Sequence, residues 1–277
     1  MTGTAVITVL ADNIAGPGLQ GEHGLSLWIE TPQIRVLFDT GKGGALGPNA
    51  RALGADLSLA DAIVLSHGHY DHTGGLPLAL AAAPSARLYC HPGVTRERYS
   101  IRKDEKKPVH MFENARRALE TLPPQRLAWV EAATELTGNL SISGPVPRLS
   151  DNLGEGWPFH FDPDARRPDP IEDDMCLWLD TPRGLVAVLG CCHAGLSATL
   201  AHARRETHGR KLHCIIGGMH LMDSGDREIG EAIGVLSEHE PDMIVPLHCT
   251  GGRAVEMLRE AFGQKVLAGH SGLSLRF

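Results

Sequence analysis

Three imidazoles and a carboxylate fall within six residues at His67-Gly68-His69-Tyr70-Asp71-His72, a density of metal-ligating groups that folding alone does not require. The apolar run Asp61–Ser66 before them reads as a buried strand, and Gly74–Leu80 after them as a loop entering a helix. The cluster therefore sits at the C-terminal end of a strand. Alternate residues of an extended segment share a side, so His67 and His69 address one point, while Asp71 and His72, from the turn that follows, address a second. Two adjacent metal positions would be served. Imidazoles holding a metal with an open position lower the pKa of its bound water, which makes hydrolysis the expected chemistry.

Three more histidines end apolar runs in the second half. His193 follows Gly184–Leu189, His220 follows Lys211–Ile216, and His248 follows Met243–Leu247. Strand ends on one edge of a sheet converge, so all three are candidates to join the first cluster. Asp71 is the candidate to orient or deprotonate a water, and His220 to protonate a leaving group. Arg96, Arg98, Arg102, Lys103, Lys106 and Lys107 make a basic segment in a chain of formal net charge −7, which suits an anionic small-molecule substrate such as a phosphoester. The same net charge argues against a nucleic-acid partner. Gly41-Lys42-Gly43-Gly44 lacks the Gly-Lys-Ser/Thr ending of a phosphate-binding P-loop.

The motif His67-x-His69-x-Asp71-His72 resembles the hallmark of the metallo-β-lactamase superfamily, and Phe38-Asp39-Thr40-Gly41 upstream resembles its strand-end aspartate motif. Asp12-Asn13, Glu22–Ser26, Gly190–Gly195, Gly217–Leu221 and His248–Gly251 resemble one branch. That branch is labelled metal-dependent hydrolase, or dihydropterin and ribofuranosylaminobenzene-phosphate synthase-like. The resemblance implies one metal on His67, His69 and a third histidine, and a second on Asp71, His72 and a late histidine, which His248 resembles. It also implies a bridging aspartate after Gly190, where this chain has Cys191. Either Cys191 ligates as a thiolate, or His193 supplies the bond, or the second position is weakened. Thiolate and imidazole donors favour zinc, one ion or two, with manganese or iron as substitutes. Asp173 or Asp174 would be the oxygen donor in reserve, although a solvated acidic loop is the simpler reading of both. The resemblance makes His23 and Asn13 substrate-facing. The rival readings are an iron-dependent redox enzyme, a sensor with Cys191-Cys192 as a thiol switch, and a pterin-pathway synthase.

The elements that must position these groups are legible as strands first (Ala5–Leu10, Leu25–Ile29, Gln33–Phe38, Asp61–Ser66), then helices Leu76–Ala83 and Met111–Leu122. Three strand-helix units follow, with helices Leu196–Thr207, Arg227–Glu238 and Arg253–Phe262, and a last strand Leu273–Phe277. This order suits two sheets packed face to face with helices outside, an α/β chain whose resemblance implies an αββα sandwich over residues 1–277. Arg96–Pro108 and Asp151–Asp174 read as long loops, lids or walls around the site. His202, His208 and His239 read as solvent-facing. Six cysteines show no disulfide spacing, and no apolar stretch nears the roughly twenty residues of a membrane span. The N-terminus lacks a basic leader, so a cytoplasmic location is expected.

Overall fold

The computed structural model describes residues 4–103, 105–150, 153 and 156–277. In chain order the strands are β1 (Val6–Ala11), β2 (Ser26–Glu30), β3 (Arg35–Phe38), β4 (Ala62–Val64), β5 (Arg87–Cys90), β6 (Tyr99–Arg102), β7 (Glu105–Pro108), β8 (Leu127–Trp129), β9 (Thr134–Thr137), β10 (Leu140–Ile142), β11 (Phe159–His160), β12 (Cys176–Thr181), β13 (Gly184–Leu189), β14 (Leu212–Gly218), β15 (Met243–Leu247) and β16 (Ser274–Arg276). The helices are α1 (Leu46–Leu53), the single turn α2 (Tyr70–Thr73), α3 (Leu76–Ala82), α4 (Glu113–Glu120), α5 (Leu196–Glu206), α6 (Asp226–His239) and α7 (Gly252–Phe262).

A seven-stranded sheet in the order β16-β1-β2-β3-β4-β5-β8 faces a six-stranded sheet in the order β15-β14-β13-β12-β10-β9. Alternation divides each strand between two layers. Ile7, Val9, Leu27, Ile29, Val36 and Phe38 meet Val186, Val188, Cys214 and Ile216 between the sheets. Trp28, Leu37, Ile63 and Leu88 point the other way, onto α1, α3 and α4 through Leu46, Ala50, Leu76, Ala79 and Ala115. Ala187, Leu189, Ile215 and Ile244 likewise face α5, α6 and α7 through Leu200, Ile229, Leu236 and Leu258. Every residue of β13 and β14 is buried, because these central strands are covered on both faces. The architecture is the expected αββα sandwich. Among the described residues no helix is long and apolar enough to cross a membrane.

Parallel pairing fixes where the chemistry lies: β3 and β4 run parallel, as do β13, β14 and β15. Their C-terminal ends open on the same rim. Each of β3, β13, β14 and β15 is followed by a non-glycine residue in the left-handed region: Asp39 (φ 56°), Cys192 (φ 61°), His220 (φ 51°) and His248 (φ 48°). Such backbone is costly and persists where the surroundings enforce it.

Of the two stretches expected as long loops, the first is structured, while the second, among its described residues, remains loop apart from β11. Arg96–Pro108 holds the hairpin β6–β7, and β11 adds to β6 as a third strand. Asp151, Asn152, Gly154 and Glu155, within the second stretch, lie outside the described residues. His202, expected in solvent, is buried, with Nε2 2.9 Å from the Ser143 carbonyl oxygen.

Candidate metal centre

The turn after β4 delivers His67 and His69, and α2 delivers Asp71 and His72. His67 Nε2 lies 3.0 Å from His69 Nδ1 and 3.2 Å from His193 Nε2. A neutral imidazole has one N–H, and three ring nitrogens turned on one another cannot satisfy each other by hydrogen bonding. The outward nitrogens, His69 Nε2 and His193 Nδ1, are buried without a hydrogen-bond partner among the described residues. Converging lone pairs in a dry pocket are what a cation satisfies, so these residues fit a metal ion. Burial pushes all three rings towards the neutral form, His69 down to about 3 and His67 and His193 well below the usual imidazole range, and the neighbouring cationic groups add to the shift. The neutral ring is the one that ligates.

His72 is held differently. Its Nδ1 lies 2.6 Å from Asp39 Oδ2, and Asp39 also accepts the Ser66 N–H and Oγ–H at 2.7 Å each. That leaves His72 Nε2 aimed at Cys191 Sγ (3.1 Å) and His248 Nε2 (3.2 Å). Burial works against the imidazolium of His72, but the charge and hydrogen bond of Asp39, with Asp71, outweigh it and hold the ring at about 9. A carboxylate behind a ligating histidine fixes its ring and raises its basicity.

His248 is anchored on three sides. Its N–H donates to Asp12 Oδ1 (2.7 Å), its Nδ1 meets Asn13 Oδ1 (2.9 Å), and its carbonyl accepts from Asn13 Nδ2 (3.3 Å). Asn13 also accepts the Gly24 N–H. Expected to face substrate, Asn13 instead uses its amide to orient His248, and it is absent from the cleft lining. Asp71 Oδ2 lies 3.3 Å from His248 Nε2 and 3.1 Å from His23 Nε2. Burial raises the Asp71 carboxyl, but those two hydrogen bonds and the charge of His72 hold it well below the usual carboxylate range. His23 is exposed at the rim. Its loop is fastened by the neighbouring Glu22, whose carboxylate accepts the N–H groups of Lys42, Gly43, Gly44 and Ala45.

Cys191 sits among all of these. Among the described residues, five groups of potential ligands have donor atoms within 4.8 Å of one another, and Cys191 belongs to three: with His67 and His72, with His193 and His220, and with His248 and Cys249. The other two are His67, His69 and His193, and His23, Asp71 and His248. A cleft of about 1060 Å³ opens over the centre, walled by the β6–β7 hairpin, Tyr70, Trp157, Phe159, His220 and Met222.

Several expectations change. Asp173 and Asp174 are buried rather than solvated. Asp173 is committed to Arg98 Nη1 (2.9 Å) and the Gly68 N–H (2.8 Å), and Asp174 to the Ala194 N–H. The basic segment is mostly paired. Arg98 is fully buried against Asp169 and Asp173, Arg96 pairs with Glu172, Arg102 with Asp223 and Lys106 with Asp164. Lys103 and Lys107 line the cleft, Lys107 donating to the Tyr70 hydroxyl at 2.9 Å. Cys192 turns away from Cys191, its Sγ 3.3 Å from Thr199 Oγ1. The partner of Cys191 is Cys249, which no spacing in the sequence signals.

Fold and donors together define a metallohydrolase-type αββα protein. A model of the β-lactamase superfamily domain matches residues 34–132. The crystal structure of Tm1679, a metal-dependent hydrolase of the β-lactamase superfamily, superposes with a TM-score of 0.83 at 31% identity, covering 98% of both chains. The chain belongs to the metallo-β-lactamase superfamily. It is also similar to two proteins of Methanocaldococcus jannaschii. One is named 7,8-dihydropterin-6-methyl-4-(β-D-ribofuranosyl)-aminobenzene-5′-phosphate synthase (25% identity over 98% of this chain and 96% of that one), and the other is uncharacterized (27% over 96% and 98%).

Proposed function

We propose that this protein is a metal-dependent hydrolase acting on an anionic small molecule, first of all a phosphoester. The convergence of His67, His69, Asp71, His72, Cys191, His193 and His248 beneath one cleft, lined by His69, Asp71, Cys191, His193 and His248, carries this reading. His67, His69 and His193 would hold one ion, and His72, Cys191 and His248 a second, with Asp71 at its edge. A divalent ion there, zinc by the softness of the donors, supplies Lewis acidity and a water of lowered pKa. Asp71, kept ionised between His23 and His248, orients a water by accepting its hydrogen bond. Its depressed carboxyl suits orientation better than proton uptake. The His220 ring lies tilted against His193, centroids 4.3 Å apart, with Nδ1 buried and without a partner among the described residues, a nitrogen available to give a leaving group its proton. Lys103 and Lys107 draw the anionic end of the substrate.

Reconstituting the protein with zinc and offering it phosphomonoesters, phosphodiesters, lactones and thioesters tests this. Phosphoester turnover is expected, falling about 10²- to 10⁴-fold in Asp71→Asn and His220→Gln. A fully metallated protein inert on all four classes would overturn it. A pterin-pathway synthase is the second reading, supported by the relative bearing that name and by Trp157 and Phe159, whose rings line a cleft able to stack a flat heterocycle. Binding of a reduced pterin, read from Trp157 fluorescence, separates the two.

A further inference from the structure

Cys249 follows His248 in the single 3₁₀ turn His248–Thr250. Its Sγ, Cys191 Sγ and a ring nitrogen of His248 lie within 4.8 Å of one another. Cys191 Sγ is in turn 3.1 Å from His72 Nε2, itself 3.2 Å from His248 Nε2. Both thiols are free, and both line the cleft. Space for the second sulfur comes from a missing side chain. A Cβ at Gly218 would lie 2.5 Å from Cys249 Sγ and 3.3 Å from Cys191 Cα, so a larger residue there would displace the sulfur. The His220 N–H points at Cys249 Sγ from 3.3 Å, a contact that stabilises an anionic sulfur. The remaining four cysteines lack such surroundings: Cys90, Cys176 and Cys214 sit in apolar clusters, and Cys192 turns to Thr199.

We propose that Cys249 and Cys191, with His72 and His248, form a dithiolate-diimidazole position for zinc or another soft divalent ion. The proposal rests on the metalloprotein reading above and adds to it a ligand and a metal preference. Two thiolates and two imidazoles select zinc and its soft congeners over manganese and magnesium, which prefer oxygen donors. Four protein donors also close a coordination shell, as in sites that hold rather than transform. The open position would then be that of His67, His69 and His193, and Asp71 would serve the rim.

Cadmium is the probe, titrated into metal-free protein while thiolate-to-metal absorption in the ultraviolet and bound cadmium by equilibrium dialysis are followed. Cys249→Ser and Cys191→Ser are each expected to lose about half of the absorption, since the thiolate is the absorbing ligand, and the double variant all of it. One cadmium at the three-histidine position should persist in every variant. Full absorption in Cys249→Ser with none in Cys191→Ser would remove Cys249 from the site and leave the metalloprotein reading intact. Wild-type protein that binds no cadmium would overturn both. Should the serine variants fail to fold, cadmium NMR of the unaltered protein decides, because a two-thiolate site resonates apart from a one-thiolate site.

Discussion

Asp174 shows how one buried atom sets a pH response. Its Oδ2 accepts the Ala194 N–H at 2.8 Å, while Oδ1 is buried without a hydrogen-bond partner among the described residues. Burial raises the carboxyl to about 7, against the Ala194 N–H, and the charge of Asp173 adds to the rise. The folded value exceeds the ordinary 3.8, so the stability this group contributes is complete below 3.8 and lost as pH rises through about 7. Asparagine mimics the neutral form at every pH. Asp174→Asn in metal-free protein should therefore gain on wild type as pH rises from 5 to 8, the difference in stability widening by on the order of 3 kcal/mol. An equal difference at both pH values would show that ionisation is not involved. Asp39 makes a different case, a buried carboxylate behind a ligand, with Oδ2 2.6 Å from His72 Nδ1. Asp39→Asn keeps the shape but weakens the hold on His72, and zinc affinity measured against a competing chelator should fall about 10- to 100-fold.

At the scale of elements, the β6–β7 hairpin is held to the centre by one buried ion cluster. Arg98 Nε lies 2.9 Å from Asp169 Oδ2 without the angle of a hydrogen bond, and Nη1 lies 2.9 Å from Asp173 Oδ2, which also accepts the Gly68 N–H. Removing Arg98 leaves two buried carboxylates without their cation, and Arg98→Ala should cost about 3–5 kcal/mol. Denaturant unfolding gives the value, and an Arg98→Ala protein within 1 kcal/mol of wild type would refute the account. The sequence displayed this arginine only as part of a basic run. That limit is general here. The strand-helix units from Gly184 onward were legible almost to the residue, because buried parallel strands and amphipathic helices leave strong periods. Donors at strand ends are legible for the same reason, and the structure places seven of them, four after β4 and three after β13 and β15, around one centre. The short strands Arg87–Cys90, Leu127–Trp129, Thr134–Thr137 and Leu140–Ile142 are too brief to leave such a period, and α1 is obscured by Gly47 and Pro48 in its run. The exposed hairpin Glu-Lys-Lys-Pro of β7 carries no alternation at all. Contacts between distant segments, such as Asp39 with His72 or Cys191 with Cys249, leave no local pattern, and Asn13 could be placed at the rim but not aimed.

Across the whole molecule, the donors give the metal-free protein two opposed pH responses that meet at one point. His67, His69 and His193 are depressed below the ordinary 6.5, His69 to about 3. Their contribution to stability is complete above 6.5 and lost as pH falls towards the folded values. His72 is raised to about 9, so its contribution is complete below 6.5 and lost as pH rises through 9. Asp174 opposes the acid loss, but it is one carboxyl against three rings. The melting temperature of metal-free protein is therefore expected to peak near pH 6.5, falling steeply on the acid side and gently towards pH 9. Zinc changes the shape of this curve, because ligands must shed their protons to bind it. A free concentration of about 100 times the dissociation constant adds about 2.7 kcal/mol, and the effective constant tightens as His72 and the thiols deprotonate. The zinc-induced rise in melting temperature should thus be larger at pH 8 than at pH 6, moving the optimum to the alkaline side. Thermal melts from pH 5 to 9, with chelator and with zinc, would count against the centre as described if the chelated profile were flat or the zinc increment independent of pH.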